Sequence, residues 1–322
     1  MSTHRPKLEN RKWTARERKD VVCNVCSSGR YAHIAQENDY DIVQCTQCQT
    51  IYVKQQPSDN ELAAFYAQYV DQGAHPKWEQ AMRGLFQQDM ARINTLHAPG
   101  KILDIGCCFG FFLHTMQNCG WEAHGCDLSP VATHHAQHEL GLSHVRCGSF
   151  MDLEYPSGSF DVITVWYVLH HLPDPKGVLQ KIYALLKPGG IVALRLPNID
   201  LLQLAWWLQR FDSLPLRTFI KSIRKETSNE QEPFNVLDPP YNLFGFSPQT
   251  MCDLGRRLGF HPLWITNDGM LNRGNLINRV VDNSLKHGAS CLKRISRGRW
   301  DYSISFSYYG QKPKQAEQTE TA

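Results

Sequence analysis

The stretch Lys101-Ile-Leu-Asp-Ile-Gly-Cys-Cys-Phe-Gly-Phe-Phe-Leu113 decides the fold of this chain. Its first five residues, Lys101–Ile105, form an apolar run that predicts a buried strand. Gly106 and Gly110 follow, and a helical pattern begins at Phe111. Glycine adopts backbone angles that other residues resist, and it lets a ligand approach the main chain closely. Because the first N–H groups of a helix bind anionic groups, the stretch predicts a strand, a ligand-binding turn and a helix.

An acidic residue follows this turn at an informative distance. Asp127 comes directly after the next predicted strand, Glu122–Cys126, about 21 residues beyond Gly106. In dinucleotide-binding folds, an acidic side chain about 20 residues after the turn accepts hydrogen bonds from ribose hydroxyls. Asp127 is therefore predicted to bind a ribose. The alternative is that it only caps the helix that begins at Ser129-Pro130.

Strands and helices alternate from residue 101 onward, which predicts a parallel sheet with crossover helices. The predicted strands are Lys101–Ile105, Glu122–Cys126, Val145–Cys147, Phe160–Trp166 and Ile191–Leu196, and the predicted helices are Phe111–Asn118, Pro130–Leu140 and Pro175–Leu186. A helix then begins at Ser247-Pro248, with serine as N-cap and proline in the first turn. Further strands are predicted at Phe260–Ile265 and Ile304–Tyr309.

Three segments together resemble the class I S-adenosylmethionine-dependent methyltransferases. Asp104-Ile-Gly-Cys-Cys-Phe-Gly110 resembles their D-x-G-x-G-x-G motif, Phe160–Pro175 their fourth strand and the following loop, and Leu185–Gly190 the entry to their fifth strand. The likeness covers about residues 99–270. It implies an α/β fold, a seven-stranded Rossmann-like sheet flanked by helices, with S-adenosylmethionine as cofactor. A nicotinamide dehydrogenase is disfavoured, because its turn would read G-x-G-x-x-G.

The same resemblance implies the residues that surround the cofactor. They are Asp104, Gly106, Cys108, Gly110, Asp127, Leu128, Ser149, Phe150 and Trp166. Ser149 is expected to bond the purine edge, and Phe150 or Met151 to pack on its face. Cys108 stands where the family usually has glycine, which leaves open a lower affinity or a protein that has lost catalysis.

Candidate catalytic residues follow the fourth predicted strand. A sulfonium is already an activated methyl donor, so the protein mainly aligns the acceptor and excludes water. A hydroxyl or carbon-acid acceptor also needs a base, and imidazole titrates near neutral pH. His171 matches the second position of the family's Glu-His pair, and His170 replaces the glutamate. An orienting or packing role for either histidine is the alternative.

Tyr167 is the third candidate in this loop. Quinone-pathway O-methyltransferases have a related Glu-x-x-Glu-His loop whose carboxylates can hold a divalent cation. Tyr167, His170 and His171 occupy the matching positions here. Metal-assisted catechol methylation is therefore disfavoured.

Four cysteines near the N-terminus form two pairs, Cys23-x-x-Cys26 and Cys45-x-x-Cys48, separated by 18 residues. Two such pairs around one tetrahedral ion make a closed, structural zinc site. A redox pair or chance cysteines are the alternative. Zinc ribbons precede the methyltransferase fold in enzymes of deoxysugar and polysaccharide pathways and in certain ribosomal RNA methyltransferases. The remaining cysteines are expected to be buried apolar residues.

The segment 199–246 is predicted to be an inserted lid over the acceptor. It contains an apolar helix at Leu201–Phe211, which is expected to pack on its own domain, close over a substrate, dimerise or lie on a membrane. Residues 238–247 resemble a Pro-x-His-Leu-x-x-Phe-Ser segment of bacterial small-molecule methyltransferases. Tyr241 and Asn242, which replaces the histidine, are the candidate acceptor contacts.

The whole chain is predicted to have five parts: a basic tail (1–20), a zinc ribbon (21–55), a helical connector (56–98), a methyltransferase domain (99–310) and a disordered tail (311–322). Its net charge of +3 does not by itself imply a nucleic-acid partner. No apolar signal region follows the basic start, and the apolar run around Leu201–Leu208 is too short for a bilayer span. A cytoplasmic location is therefore expected.

The leading functional hypothesis is methyl transfer to a small-molecule acceptor, such as a sugar or secondary metabolite, and a homodimer is one assembly that the sequence allows. One alternative is an RNA methyltransferase that uses the ribbon and the basic tail. No RNA-reading motif with stacking aromatics is evident, which disfavours it. The other alternative is a non-catalytic protein that binds the cofactor.

Overall fold

The computed structural model describes residues 18–58, 60–62, 76–210, 235–268, 287–288, 291, 294–295 and 301–314. Several predictions lie outside these residues. They concern the basic tail before residue 18, most of the first half of the helical connector, the basic residues that follow the apolar helix of the predicted lid, and the tail after residue 314.

A seven-stranded sheet forms the centre of the described chain. Its strands are β6 (Lys101–Ile105), β7 (Glu122–Asp127), β8 (His144–Cys147), β9 (Phe160–Trp166), β10 (Leu186–Pro197), β12 (His261–Asp268) and β13 (Ser305–Gln311). They lie in the order β12-β13-β10-β9-β6-β7-β8. The pairs among β6 to β10 are parallel, whereas β13 runs antiparallel to both β10 and β12. The predicted seven-stranded sheet is thus confirmed.

The parallel strands bring four chain segments to one edge of the sheet. The turn after β6, the residues after β7 and β8, and the loop after β9 all leave the carboxyl ends of neighbouring strands. The strand order reverses at β6, because the chain moves to β7 on one side and later to β9 on the other. Open α/β sheets bind ligands at such a switch point.

Helices cover both faces of the sheet, as the alternating pattern predicts. They are α1 (Pro76–Leu96), α2 (Phe111–Gln117), α3 (Pro130–His138), α4 (Pro175–Leu185), α5 (Ile199–Leu208) and α6 (Pro248–Arg257). One apolar cluster joins α1, α2 and α3 to the sheet, and the other joins α4 and α6. The helices begin at residues suited to capping: Ser129, Asp174 and Ser247 each accept a backbone N–H of the following turn.

The apolar helix of the predicted lid packs on its own domain where it is described. Leu201 and Ala205 of α5 are buried against Tyr302 and Ile304. Trp207 remains 48% exposed. Packing on its own domain, one of the roles expected for this helix, is therefore the one the described contacts show. No helix among the described residues is both long enough and apolar enough to cross a membrane.

The N-terminal cysteine module is a four-stranded antiparallel sheet that is completed from outside the module. It contains β2 (Tyr31–Glu37), β3 (Tyr40–Cys45) and β4 (Ile51–Val53), and its fourth strand is β11 (Phe244–Gly245). A separate pair, β1 (Arg18–Asp20) and β5 (Gln55–Pro57), lies beside it in sequence. Because β11 comes from the predicted acceptor lid, the module and the lid share one sheet.

Candidate active site and metal centre

The glycine turn lies between β6 and α2 and is held by the neighbouring strand. The amides of Gly106 and Cys107 both donate to the carbonyl of Cys126, at 2.8 and 3.1 Å. Gly106 has φ of +73°, and a Cβ atom there would lie 2.4 Å from Val168 Cγ2. Only glycine therefore lets the loop after β9 approach the turn this closely. Gly110 has φ of +81° and is similarly confined by Leu142 at 2.6 Å.

Asp127, at the end of β7, lies directly against this turn. Its Oδ2 accepts the amide of Cys108 at 2.9 Å, and its Oδ1 accepts the amide of Ser129 at 2.9 Å. Burial raises the pKa of this carboxyl, which the backbone N–H groups partly offset. The N-cap of α3 is Ser129. The carboxylate therefore supports both the turn and the helix start, and each oxygen retains a lone pair for a ribose hydroxyl.

The other two polar candidates of the motif differ in burial, because Asp104 is buried and Cys108 is half-buried. Asp104 lies on β6 between Gly125 and Thr164, and its Oδ1 accepts the Thr164 hydroxyl at 2.6 Å. Burial raises the pKa of Asp104 to about 8. Cys108 has φ of +50°, in the left-handed region that glycine prefers. Both residues are in the turn region that the motif predicts, and their contact with a cofactor stays a prediction.

The segment after β8 places its aromatic residue in the core. Phe150 is 6% exposed, whereas Met151 is 45% exposed. The Lys181 ammonium lies 4.9 Å from the Phe150 ring and donates to the carbonyls of Phe150 and Leu153. Ser149 is half-buried, and its hydroxyl accepts the Met151 amide at 3.3 Å. Met151 is therefore the better placed of the two residues to cover a purine face.

His170 and His171 lie in a single turn of 3-10 helix after β9, with ring centroids 3.9 Å apart. His170 is 5% exposed, and its Nδ1 has no hydrogen-bond partner among the described residues. Burial and the neighbouring His171 hold the pKa of His170 well below its usual value. The ring of His170 is therefore neutral at neutral pH.

His171 is half-buried and differs in its hydrogen bonding. Its Nδ1 lies 2.7 Å from the carbonyl oxygen of Tyr241. A carbonyl only accepts, so a neutral His171 carries its proton on Nδ1 and its lone pair on Nε2. A lone pair on a positioned ring nitrogen is what a general base needs.

The side chains of Trp166 and Tyr167, at the end of β9, both lie against other parts of the fold. The Trp166 ring is buried, and its Nε1 has no hydrogen-bond partner among the described residues. Tyr167 has φ of +58°, and its hydroxyl lies 3.1 Å from Ser305 Oγ. The side chain of Tyr167 thus contacts β13. Leu128, half-buried, lies between Asp127 and α3.

The two predicted acceptor contacts lie in the loop before β11. The Tyr241 ring packs edge-on against His171, with centroids 5.6 Å apart. The Asn242 amide donates to the carbonyl of Leu237 within the same loop. The structure therefore brings Tyr241 to the candidate base, while the side chain of Asn242 closes its own loop.

The four N-terminal cysteines converge. Their sulfur atoms lie within 4.8 Å of one another, with Cys23 to Cys48 at 3.4 Å and Cys26 to Cys45 at 3.5 Å. A tetrahedral zinc ion with Zn–S bonds of about 2.3 Å requires sulfur separations of about 3.8 Å. The donor set and its spacing fit a closed, four-thiolate site.

The two cysteine knuckles have the same backbone arrangement. Ser27 and Gln49 follow the second cysteine of each pair, and both have positive φ, of 61° and 64°. Their amides donate to the carbonyls of Cys23 and Cys45, at 2.7 and 3.0 Å. The two matching turns each bring one pair of thiols into the cluster of four sulfur atoms, as a shared ion requires.

The expectation for the remaining cysteines was partly wrong. Cys107, Cys126 and Cys252 are buried, but Cys147 and Cys291 are exposed. Cys147 ends β8, the edge strand of the sheet, where only one neighbour covers it.

Sequence reasoning missed the residues that join the cysteine module to the site. Glu37, Asn24 and β11 make this junction, as described below. No periodic pattern marks them, because β11 has two residues and the two side chains act through loops. The sequence offers one sign of this junction, which is the acidic Glu37 on a strand. An acidic side chain is rarely buried unless it has a partner.

Comparison with known proteins agrees with this geometry. Residues 78–236 match the model of a methyltransferase domain family. The chain is 31% identical over 137 residues to the ubiquinone biosynthesis O-methyltransferase of Pseudomonas aeruginosa, covering 39% of this chain and 59% of that protein. It is 36% identical over 107 residues to the enzyme of that name from Xanthomonas campestris, covering 31% and 44%. The match spans less than two thirds of the length of either relative.

A solved structure shows the fold. It is a chain from the complex of the Haloferax volcanii Trm112 methyltransferase activator with a proposed methyltransferase. The TM-score is 0.50 with 14% identity, and the match covers 79% of this chain and 98% of that chain. Residues 78–236 therefore form a methyltransferase domain, and the strand order and the glycine turn are those of the class I, Rossmann-like methyltransferase fold.

Proposed function

We propose that this chain transfers the methyl group of S-adenosylmethionine to a small-molecule acceptor. One observation carries the proposal: the glycine turn, Asp127 and His171 leave neighbouring strands at the same edge of the sheet. Val168 packs on Gly106 and lies three residues before His171. The glycine turn is therefore in contact with the loop after β9 that contains both histidines, the histidine loop. A cofactor in the turn and a base in the loop would therefore be neighbours.

In this proposal, the residues at the end of β7 hold the nucleoside. Asp127 accepts the ribose hydroxyls, and Gly106 and Gly110 keep the turn free of side chains that would block the ligand. Met151 covers the purine. The sulfonium supplies an activated methyl group to whichever nucleophile lies in line with it.

His171 is proposed as the base that removes the proton of the acceptor. Its Nδ1 bond to the Tyr241 carbonyl holds the ring in one orientation, and a neutral ring has its lone pair at Nε2. His170 is a poor base because its pKa is lowered by burial. The indole N–H of Trp166 is a buried donor for a ligand oxygen, since it has no partner among the described residues.

The acceptor is proposed to be a small molecule such as a sugar or a secondary metabolite. The curated relatives act in ubiquinone biosynthesis, which supports a small acceptor. The loop after β9 offers Tyr167, His170 and His171 rather than paired carboxylates. We therefore favour proton transfer through imidazole over activation by a divalent cation.

Zinc is proposed as a structural ion held by Cys23, Cys26, Cys45 and Cys48. Four thiolates leave no open coordination position for a substrate, so its contribution is to the stability of the ribbon. Thiols that bind metal need a reducing compartment, which also supports a cytoplasmic location.

Calorimetry with S-adenosylhomocysteine tests the proposal directly. We expect the wild-type chain to bind it, and Asp127→Ala to weaken binding by at least about tenfold, because hydrogen bonds to a charged group are lost. Asp127→Asn keeps the shape and one acceptor oxygen, so its loss should be smaller. Asp253→Ala, a remote and partly exposed acidic residue on α6, is the matched control.

Absence of binding at millimolar ligand would refute the cofactor site. A methyl-release assay with fractionated metabolites and RNA then separates the acceptor classes. Transfer to RNA with a steep dependence on salt would replace the small-molecule proposal. Binding without transfer to any fraction would identify a cofactor-binding protein.

A further inference from the structure

The cysteine ribbon is joined by backbone hydrogen bonds to residues 236–243, the acceptor loop, which contains the candidate acceptor contacts Tyr241 and Asn242. β11 pairs antiparallel with β4, with Phe244 opposite Tyr52 and Gly245 opposite Ile51. One residue further, the Val53 amide donates to the carbonyl of Leu243 at 2.9 Å. The amide of the same Leu243 donates to the carbonyl of His170 at 2.9 Å. Leu243 therefore connects a ribbon strand to the histidine loop through two consecutive peptide groups.

A buried carboxylate from the ribbon holds the start of this loop. Glu37, at the end of β2, is 5% exposed. Its Oε2 accepts the amides of Leu237 and Asp238 at 3.0 and 3.1 Å, and its Oε1 accepts the amide of Val236. Burial of a carboxylate is costly unless it is hydrogen-bonded, and three successive amide donors meet this need.

The neighbouring residue adds to this contact. The side-chain amide of Asn38 donates to Asp238 Oδ1 at 3.0 Å and to the carbonyl of Pro239 at 2.7 Å. Glu37 and Asn38 thus bond to four consecutive residues, 236–239, of the acceptor loop. The Tyr241 carbonyl is the one that fixes the His171 ring.

The first cysteine knuckle contacts the other end of the histidine loop. Asn24 lies between Cys23 and Cys26, and its Nδ2 donates to Asp174 Oδ1 at 2.7 Å. Its Oδ1 accepts the amide of Lys176 at 3.0 Å. Asp174 is the N-cap of α4, three residues after His171. The segment 170–176 is therefore bonded to the ribbon directly at Asp174 and Lys176, and through Leu243 at His170.

We propose that the four-cysteine ribbon positions the candidate base and the acceptor loop, and that Glu37 and Asn24 are its positioning residues. This inference rests on the proposed function for the roles of base and acceptor. The coupling between the ribbon and the two loops rests on the hydrogen bonds described above. Zinc bound between the knuckles would fix Asn24, since two of its four ligands flank that residue. The cofactor turn has no such contact with the ribbon among the described residues, so cofactor affinity should be independent of it.

The contacts go beyond ordinary packing between neighbouring modules. Packing alone would leave polar groups of the two surfaces to be satisfied by water. Here a carboxylate, two amide side chains and a strand edge of the ribbon bond to backbone groups of residues 236–239, of β11 and of the start of α4. Removing the Glu37 carboxylate would leave three amide donors without their acceptor, which favours local opening of 236–243.

Hydrogen exchange on the full-length protein tests the coupling without knowledge of the acceptor. Glu37→Ala is expected to accelerate amide exchange by at least about tenfold in peptides covering 236–243 and also in those covering 168–172. Glu37→Gln should give an intermediate effect, because its amide oxygen still accepts. Gln36→Ala, an exposed position one residue earlier on β2, is the matched control and should change neither peptide.

Two further readouts separate positioning from a general loss of stability. The affinity for S-adenosylhomocysteine should change less than about twofold in Glu37→Ala, and exchange in the central strands should be unaltered. Nitrogen-15 NMR of the histidine rings should show His171 with its proton on Nδ1 in wild type and as a mixture of tautomers in Glu37→Ala.

Asn24→Ala and zinc removal approach the same coupling from the knuckle. Asn24→Ala should accelerate exchange at 170–176 while retaining zinc. Chelation of zinc from the wild type should accelerate exchange at both 170–176 and 236–243. Acceleration confined to 236–238 in Glu37→Ala, or exchange at 168–176 that is insensitive to chelation, would overturn the inference. Failure of the wild type to bind the nucleoside would instead refute the proposed function and leave the exchange results to decide the coupling.

Discussion

Two adjacent histidines at the candidate site have different chemistry because their environments differ. His170 is buried without a partner for its Nδ1 among the described residues, whereas His171 is half-buried and bonded to the Tyr241 carbonyl. From the sequence, both histidines follow the same predicted strand and both are candidate bases. Burial and hydrogen bonding, which depend on the loop before β11, are the basis on which we propose His171 rather than His170 as the base.

The buried histidine gives the fold a dependence on pH. An unfolded histidine titrates near pH 6.5, while burial keeps the pKa of folded His170 well below that value. Because folded His170 resists protonation, the protein has its full stability above the pKa of the unfolded histidine. The free energy of unfolding decreases as the pH falls below that pKa. We expect the free energy of unfolding to decrease by up to about 1.4 kcal/mol per pH unit below about pH 6.5 from this residue.

Urea unfolding at about pH 7.5 and about pH 5.5 measures this effect. His170→Gln lacks the titrating ring, so its stability should fall less between the two values than that of the wild type. Equal losses in both proteins would show that His170 does not couple to folding. The exposed His33→Gln serves as the control for a histidine that is not buried.

Cys108 shows how a departure from a motif is accommodated at one residue. Its φ of +50° is the conformation for which the family uses glycine. A residue with a Cβ atom pays about 1–2 kcal/mol in this region. The Cys108 amide bond to Asp127 helps to hold the strained position. The substitution therefore preserves the shape of the turn at a cost in stability.

Among the secondary-structure elements, α1, β10 and β12 are joined by a buried ion network. Arg195 on β10 donates two hydrogen bonds to Asp89 on α1, at 2.7 and 2.8 Å, and one to Asp268 on β12, at 3.2 Å. Its guanidinium also lies 5.2 Å from the centre of the Trp166 ring. All three charged groups are almost fully buried.

Removal of the central charge should destabilise the protein strongly. In Arg195→Met, two buried carboxylates would lie close together with Arg92 as the nearby cation among the described residues. We expect a loss of about 3–5 kcal/mol in the free energy of unfolding, as is found when one partner of a buried pair is removed. Arg256→Met breaks an exposed pair on α6 and should cost less than about 1 kcal/mol. Similar losses in both variants would contradict this view of the network.

Most of the longer elements were predicted close to their bounds, but β10 (Leu186–Pro197) begins five residues before the predicted strand Ile191–Leu196, and the shortest strands were not predicted. β6 and β9 have the predicted bounds, and the helices α2, α3 and α4 end within two residues of theirs. Their apolar periodicity and their caps are local signals that tertiary contacts only adjust. β1, β5 and β11 have two or three residues each, too few for any period. Such strands exist only because a partner strand is in reach.

In the whole molecule, the ribbon and the methyltransferase sheet share one apolar core. Tyr40, Ile42 and Tyr52 of the ribbon belong to the same buried cluster as Phe244, Phe246 and the residues of β9 and β10. The domain boundaries predicted from the sequence stay a prediction. The shared core indicates that the ribbon stabilises the larger domain as well as the acceptor loop.

Deletion of the ribbon should therefore not yield a well-folded methyltransferase domain. A chain that starts at residue 58 would lose the ribbon part of this shared cluster and would expose apolar side chains that pack in it, among them Phe244, whose ring lies 6.3 Å from that of Tyr52. We expect strong binding of a hydrophobic dye, aggregation and a broadened thermal transition. A truncated monomer with a sharp transition and wild-type affinity for S-adenosylhomocysteine would show that the two parts fold independently.

The sequence by itself determined the α/β sheet, the edge of the sheet at which the glycine turn lies and the clustering of four cysteines. These features depend on local periodicity, on glycines at strained positions and on ligand spacing, all of which can be read within a few tens of residues. Only the tertiary structure decided that the ribbon completes its sheet with β11, that Glu37 binds the loop 236–238, and that His171 rather than His170 has the geometry of a base. Each of these depends on contacts between residues about 70 to 200 positions apart in the chain, which no local pattern encodes.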